Sequence, residues 1–364
     1  MFEFKPDYAT TYERMQAFWR NDVLDRPLTM FTLYKPPAEQ AALPESLHAS
    51  SAERWLDAQF QADWALANLS NQDFLGDTLP IAYPNLGPEI FSAFYGCPIH
   101  FGDYGTSWSE PILEDWSTYG ELKLDWHHPL LQKLEAMTDA LLAVGKDKFI
   151  VGMTDWHPGG DALAAFRDPA RLALDMVDHL DAVKILLERI EADYFTVYDH
   201  FFHKLRQHGQ PITSWTPLVH AGKYYIPSND FSIMISSRMY DEIFLPGIRR
   251  ECQFLERSIY HLDGPGALRH LDSILSIPEL NALQWVPGAG REIFSQWVQV
   301  YRKVQAAGKG IQVTCRLEEI QTVMQTLNPR GMFLQVGGVP DRESGAALLQ
   351  ELESWTKTYK KRTP

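Results

Sequence analysis

Along residues 1–145 the apolar positions recur mostly at helical spacing, and three segments carry that period: Tyr8 to Arg20, Ala52 to Leu69 and Leu130 to Val144. Between the second and third, the stretch GDTLPIAYPNLGPEIFSAFYGCPIHFGDYG from Gly76 is crowded with Gly, Pro and aromatic residues. So long an irregular segment in a compact domain is a lid, a pocket wall or a structural surface loop. From about Lys148 short apolar runs alternate with amphipathic stretches. Strands are expected at Phe149–Met153, Ile212–Trp215, Tyr225–Ile226, Ser258–His261, Ala282–Val286, Ile311–Thr314 and Met332–Val336, with Leu28–Leu33 upstream. Helices follow several of them. Gly266–Ile277 places Ala267, Leu271, Ile274 and Leu275 on one face, and Ser295–Ala307 does the same with Val298, Tyr301 and Val304.

A strand–helix alternation of this kind calls for a parallel sheet, and eight units close a barrel. The expected fold is α/β, a (β/α)8 TIM barrel with an N-terminal helical extension. It is expected as a single domain over 1–364, in which 1–145 supply helices and a lid-like segment and 146–350 most of the barrel. An open doubly wound sheet is the alternative. No Gly-rich dinucleotide loop follows the first strand, and the GPGAL and PGAG segments at Gly264 and Pro287 are poor phosphate loops, so neither nicotinamide nor flavin is expected.

Composition narrows the function. The 364 residues are 45% hydrophobic, enough for a sizeable core, and 33 Lys plus Arg against 47 Asp plus Glu give a net charge of -14. Such a surface repels nucleic acid and anionic membranes. Charges interrupt the N-terminal segment, and nowhere do ~18 apolar residues run together, so a cytoplasmic protein without a membrane span is expected. Three scattered cysteines, Cys97, Cys252 and Cys315, read as reduced thiols. The 12% aromatic content, much of it beside Gly, Pro and Asp, suggests an aromatic-lined pocket for a small molecule.

In a parallel barrel the chemistry sits just past the strands, and those positions are unusually polar here. His261 and Asp263 stand two apart on a strand, hence on one face, ahead of the sharp turn Gly264-Pro265-Gly266. They are candidate metal ligands or an acid/base pair, or else a His hydrogen-bonded to a loop-capping Asp. A zinc site takes three protein ligands with the fourth position open, and Cys315 could be the third, although a lone Cys is commonly an inert small hydrophobe. Asp155 and His157 flank Trp156 at another strand end and are candidates for base and orienter, or for capping a helix that begins near Asp161. Asn229-Asp230 reads as substrate binding or an Asx turn. His220, Tyr260, Gln284, Trp285 and Trp156 are further candidate binding residues. Asp77, a carboxylate among apolar neighbours, is either a group of raised pKa or a turn former.

The strand-end Asp155-Trp156-His157, the Asn229-Asp230 ahead of a helix with Phe244-Leu245-Pro246, and the segments YHLDGPG, QWVPGAG and LQVGGVP together resemble the uroporphyrinogen decarboxylase superfamily, which includes corrinoid-dependent methyltransferases. The likeness runs over roughly 145–350, with weaker echoes at Arg26-Pro27 and Asp77-Thr78-Leu79-Pro80, and implies one (β/α)8 barrel. True decarboxylases share an N-terminal Trp-Met-Arg-Gln-Ala-Gly-Arg stretch that holds the substrate carboxylates, and this chain has none. Asp77 is the nearest match to their catalytic aspartate. The methyltransferase branch writes its zinc site His-x-Cys plus a late Cys between glycines. His261 matches the first ligand, Asp263 stands in place of the Cys, and Gly337-Gly338 occupies the late segment without one. The resemblance therefore implies methyl transfer from a methoxylated or methylated small molecule to a corrinoid on a partner protein, with zinc as the metal on offer. It leaves room for a homodimer, for decarboxylation of a small or tetrapyrrole carboxylate, and for a non-catalytic barrel that binds a tetrapyrrole or another small ligand.

Overall fold

The computed structural model describes residues 2–103 and 105–362. Ten strands are assigned among them: β1 Leu28–Met30, β2 Ile81–Ala82, β3 Ile99–Phe101, β4 Ser107–Ser109, β5 Ile150–Val151, β6 Tyr224–Tyr225, β7 Arg257–Asp263, β8 Ala282–Val286, β9 Gly310–Arg316 and β10 Met332–Gly337. Six of these form a parallel sheet in the order β1-β10-β9-β8-β7-β6. Its central strands are apolar runs buried on both faces, as parallel strands sheathed by helices must be; Ala282 to Trp285 and Met332 to Leu334 are fully covered. Helices Leu245–Phe254, Leu271–Leu275, Val298–Ala306 and Ile320–Thr326 connect successive strands, and Arg342–Arg362 follows the last.

The continuous ladder therefore holds six strands rather than the expected eight. β2 and β5 pair with each other in parallel, Ile81 with Ile150 and Ala82 with Val151, as a separate two-stranded unit. Where that unit meets β1, one backbone bond and three side-chain bonds stand in for a ladder. The Asp77 N–H donates to the Thr29 carbonyl at 2.9 Å, the Thr29 N–H returns to the Asp77 carboxylate at 2.9 Å, and the Thr78 hydroxyl bonds Phe31 at 2.9 and 3.1 Å. On the other side the Met153 N–H reaches the Thr213 carbonyl at 2.8 Å. The expected strand Ile212–Trp215 does not form. Pro211 and Pro217, which lack a donor, bracket it, and Ile212 pairs back antiparallel onto His220. β3 and β4 form a small antiparallel hairpin in the Gly- and Pro-rich segment, where a lid-like loop was expected.

The helix expected over Ala52–Leu69 is broken at Asp57 into Ser51–Leu56 and Ala58–Ser70, because Asp57 turns extended and its carboxylate caps the second helix at the Phe60 N–H. Leu180–Gln207, of 28 residues, is the longest helix and packs against Gly159–Arg167 and Leu245–Phe254. One connected set of buried side chains runs from Met15 to Leu352. Among the described residues no helix is long and apolar enough to cross a membrane.

Asp77, expected as a candidate catalytic carboxylate, is fully buried in an ion-pair network. Arg26 forks onto both of its oxygens, Arg14 reaches it at 3.2 Å, and Arg14 also grips Asp25 through two bonds of 2.7 Å. The network fastens the helix Tyr8–Trp19 to the junction of β1 and the segment leading to β2. Truncating it would leave the buried Arg26 guanidinium without a carboxylate and Arg14 with Asp25 alone, so Asp77→Ala is expected to cost about 3–5 kcal/mol of folding stability in urea titration. A loss under 1 kcal/mol would mean that the network carries little of the fold.

Candidate functional site

The loop after β5 is fixed by its central residue. Trp156 is buried against Phe201, Tyr225 and Tyr194, with ring centroids 5.4, 6.2 and 6.5 Å away. Its backbone N–H donates to the Tyr225 hydroxyl at 2.9 Å, that hydroxyl donates to the Thr154 carbonyl at 2.8 Å, and the His157 backbone N–H donates to the Pro88 carbonyl at 3.0 Å. With the indole drawn inward, its half-buried neighbours Asp155 and His157 meet beside it. His157 Nε2 lies 3.3 Å from Asp155, and its Nδ1 lies 3.6 Å from Asp161 and 3.8 Å from Asp230. Burial opposes a charge on His157, but Asp155 and Asp161 beside it lift its pKa well above the usual value.

Asp161 stands in the first turn of the helix Gly159–Arg167. One oxygen accepts the Phe231 N–H at 2.9 Å and the other faces the Ser228 hydroxyl at 3.3 Å, so the loop after β6 is tied to it. Burial works against its charge, yet His157 and the backbone N–H groups of Phe231 and Asp230 outweigh that and hold its pKa below the usual range. Asp230, next along that loop, is pushed up to about 6, first by desolvation and then by the Asp161 charge. Asn229 is buried behind it with neither amide atom hydrogen-bonded, and a side chain at Gly160 would come within 2.8 Å of that amide.

The second half of the site comes from β7. His261 and Asp263 lie on its half-buried face, while Tyr260 and Leu262 point into the core. The His261 Nδ1 sits 2.6 Å from the Gln284 side-chain oxygen on β8, and its ring meets the Trp215 ring edge-on at 5.0 Å. A bridge between Ser228 and His261 brings the Asp230 loop alongside.

Two groups of three side chains could each hold a metal ion, their ligand atoms lying within 4.8 Å of one another: Asp230, His261 and Asp263, and His157, Asp161 and Asp230. The side chain grouped with His261 and Asp263 is Asp230, and not Cys315, the sequence's other candidate for a third ligand. Cys315 belongs to neither group; it is buried on β9 and its thiol is pushed up to about 12 by burial. A donor set of one imidazole and two carboxylates suits a divalent cation with open coordination positions. A cleft of about 430 Å³ is lined by His157, Asp161, Asp230, Phe231, Met234 and Pro88, among others.

The remaining expected residues lie apart from the cluster. His220 pairs with Ile212 through its backbone and accepts the Gly222 N–H at its ring, Tyr260 shares a hydrogen bond of 3.1 Å with Tyr240, and Trp285 packs edge-on against Trp297. Asp161 was read from the sequence only as the start of a helix. Its signal is the four-residue step from His157, which the turn into the helix brings within reach.

No protein-family model matches this chain, and no curated protein matches it. Among solved structures it is similar to a methyltransferase from Methanosarcina mazei, with a TM-score of 0.60 and 10% identity over 97% of this chain and 99% of that one. A likeness at that identity is a likeness of fold.

Behind Asn229, Glu251 is fully buried and pushed up to about 8, by burial first and the nearby Glu191 second. Its native pKa exceeds the 4.5 of an unperturbed glutamate, so the folded chain holds this proton more tightly than the unfolded one. The associated stability is complete below about pH 4.5 and lost as pH rises through about 8. Glu251→Gln is expected to flatten the fall in stability between these limits, measured by urea unfolding across a pH series. An unchanged slope would place the titrating group elsewhere.

Proposed function

We propose that this chain is an enzyme of the uroporphyrinogen decarboxylase-like kind that moves a methyl group from a small methoxylated or N-methylated compound to the corrinoid of a partner protein. The observation that supports this best is the donor group Asp230, His261 and Asp263 at the carboxyl end of β7. Its place matches where parallel barrels keep their chemistry. Its composition, oxygen-rich and without sulfur, suits a substrate with an ether oxygen better than a thiol. The shared fold with a methyltransferase agrees with this reading. In its full form the fold is a closed (β/α)8 barrel whose eight staves are the six strands of the sheet and the two of the β2–β5 unit. The three free, buried cysteines suit a reducing cytoplasm.

A divalent cation on these three residues, zinc in the first instance, would polarise the ether oxygen and stabilise it as it leaves. The chain's own residues prepare that event. Gln284 accepts the Nδ1 proton of His261, which leaves the Nε2 lone pair free to ligate, and Trp215 against the ring limits its rotation. Asp263 and Asp230 bring negative charge that keeps the site selective for a cation. The cleft beside Asp230 would hold the substrate and leave its methyl group open to the partner's corrinoid. A corrinoid brought by the partner protein would supply the nucleophile that takes the methyl group, and the electron pair of the broken carbon–oxygen bond would remain on the substrate oxygen beside Asp230, His261 and Asp263.

Mixed with reduced corrinoid and a panel of methoxylated and N-methylated compounds, the protein is expected to convert the cob(I)alamin spectrum to that of methylcobalamin. His261→Ala and Asp263→Ala are expected to slow the conversion by on the order of 100-fold. Silence across a broad donor panel would overturn methyl transfer and favour a ligand-binding barrel.

A further inference from the structure

We propose that Asp230 bridges two divalent cations, one shared with His261 and Asp263 and a second held by His157 and Asp161 at the wall of the cleft. The first position rests on the function proposed above; the second does not.

The spacing of the second group argues for a cation rather than for a closed hydrogen-bond network. His157 Nδ1 stands 3.6 Å from Asp161 and 3.8 Å from Asp230, longer than the hydrogen bonds a structural His–Asp pair makes. Ligand atoms about 2.1 Å from one metal lie roughly 3–3.5 Å from one another, so a small inward movement would complete the sphere. Asp155 faces the other ring nitrogen of His157 at 3.3 Å, the carboxylate–histidine arrangement that orients metal-bound imidazoles. Asp161 gives one oxygen to the Phe231 N–H at 2.9 Å, and its other oxygen, 3.3 Å from the Ser228 hydroxyl, also faces His157 Nδ1. His261 is prepared in the same manner, with Gln284 at its Nδ1. Both imidazoles thus turn their free nitrogen toward the group containing Asp230.

Charge points the same way. Four carboxylates, Asp155, Asp161, Asp230 and Asp263, converge here, and among the described residues no Lys or Arg nitrogen lies within 4.0 Å of any of them. Only two imidazoles oppose them. Asp230 belongs to both groups and is 41% exposed at the cleft, so one carboxylate can offer an oxygen to each cation while the second position stays open to a ligand. A carboxylate between two cations is the usual architecture of two-metal sites.

Protein stripped with a chelator is to be titrated with Mn2+ alone, followed by calorimetry and by electron paramagnetic resonance. Two equivalents are expected to bind, the second giving the broadened signal of an exchange-coupled pair. His157→Ala and Asp161→Asn are expected to remove one equivalent, with at least a tenfold loss of its affinity, and to abolish the coupling while the other equivalent remains. His261→Ala is expected to remove the other. One equivalent in the native protein, lost in His261→Ala and kept in Asp161→Asn, would overturn the bridged pair and leave the proposed function standing. No binding in either position would overturn both. Should a variant fail to fold, the stoichiometry and coupling of the native protein still decide the question.

Discussion

The burial of one indole orients everything at the cleft. Trp156 is drawn into a nest of tyrosines and Phe201, and the Tyr225 hydroxyl locks the backbone on both sides of it. Because the indole must go in, its two neighbours are left at the surface of the nest, where His157 meets three carboxylates. The turn that follows starts the helix whose first turn carries Asp161, and Asp161 in turn ties down the loop of Asp230. Aromatic packing is well suited to this task. It buries large rigid area at little entropic cost, so polar groups that repel one another can be held together by forces that do not depend on their charge.

Elsewhere the chain answers buried acid with arginine. Arg26 and Arg14 serve Asp77, Arg167 serves Asp175, and Arg250 serves Glu191. The cluster around Asp230 departs from that habit, and so does Glu251, which lies within the same electrostatic reach and is held protonated toward alkaline pH. In a protein with many more acidic than basic residues, withholding arginine from a convergent set of carboxylates is a local choice, and it keeps their negative charge available to something that arrives from outside.

Much of this was legible in the sequence. The apolar runs behind β7 to β10 are long enough to announce buried parallel strands, and the two-residue step from His261 to Asp263 correctly places both on one strand face. The two-residue strands β2 and β5 are too short for a period to show, and the Ile212 segment carries a strand's composition while its prolines deny it a strand's hydrogen bonds. The helix Leu180–Gln207 does carry its signal, with Val183, Leu186, Leu187, Ile190, Tyr194, Val197 and Phe201 buried along one stripe, although it follows another helix instead of a strand and so falls outside the strand–helix rhythm. Asp161 was hidden for a different reason: its importance depends on where the Asp230 loop ends up, 69 residues later in the chain. Cys315 misled in the opposite sense, since a thiol at a strand end attracts attention that its deep burial does not support.

The site also lies across a seam. His157 and Asp161 follow the β2–β5 unit, whereas His261 and Asp263 end β7 of the six-stranded sheet and Asp230 lies just after β6; between β5 and β6 stands the irregular segment around Thr213, whose carbonyl takes one backbone bond from Met153. A ligand gripped from both sides would therefore act as a clasp across this joint. Occupancy and opening of the seam would then be coupled: a ligand at Asp230 would slow any breathing of the two units against each other, and prying them apart would expel it.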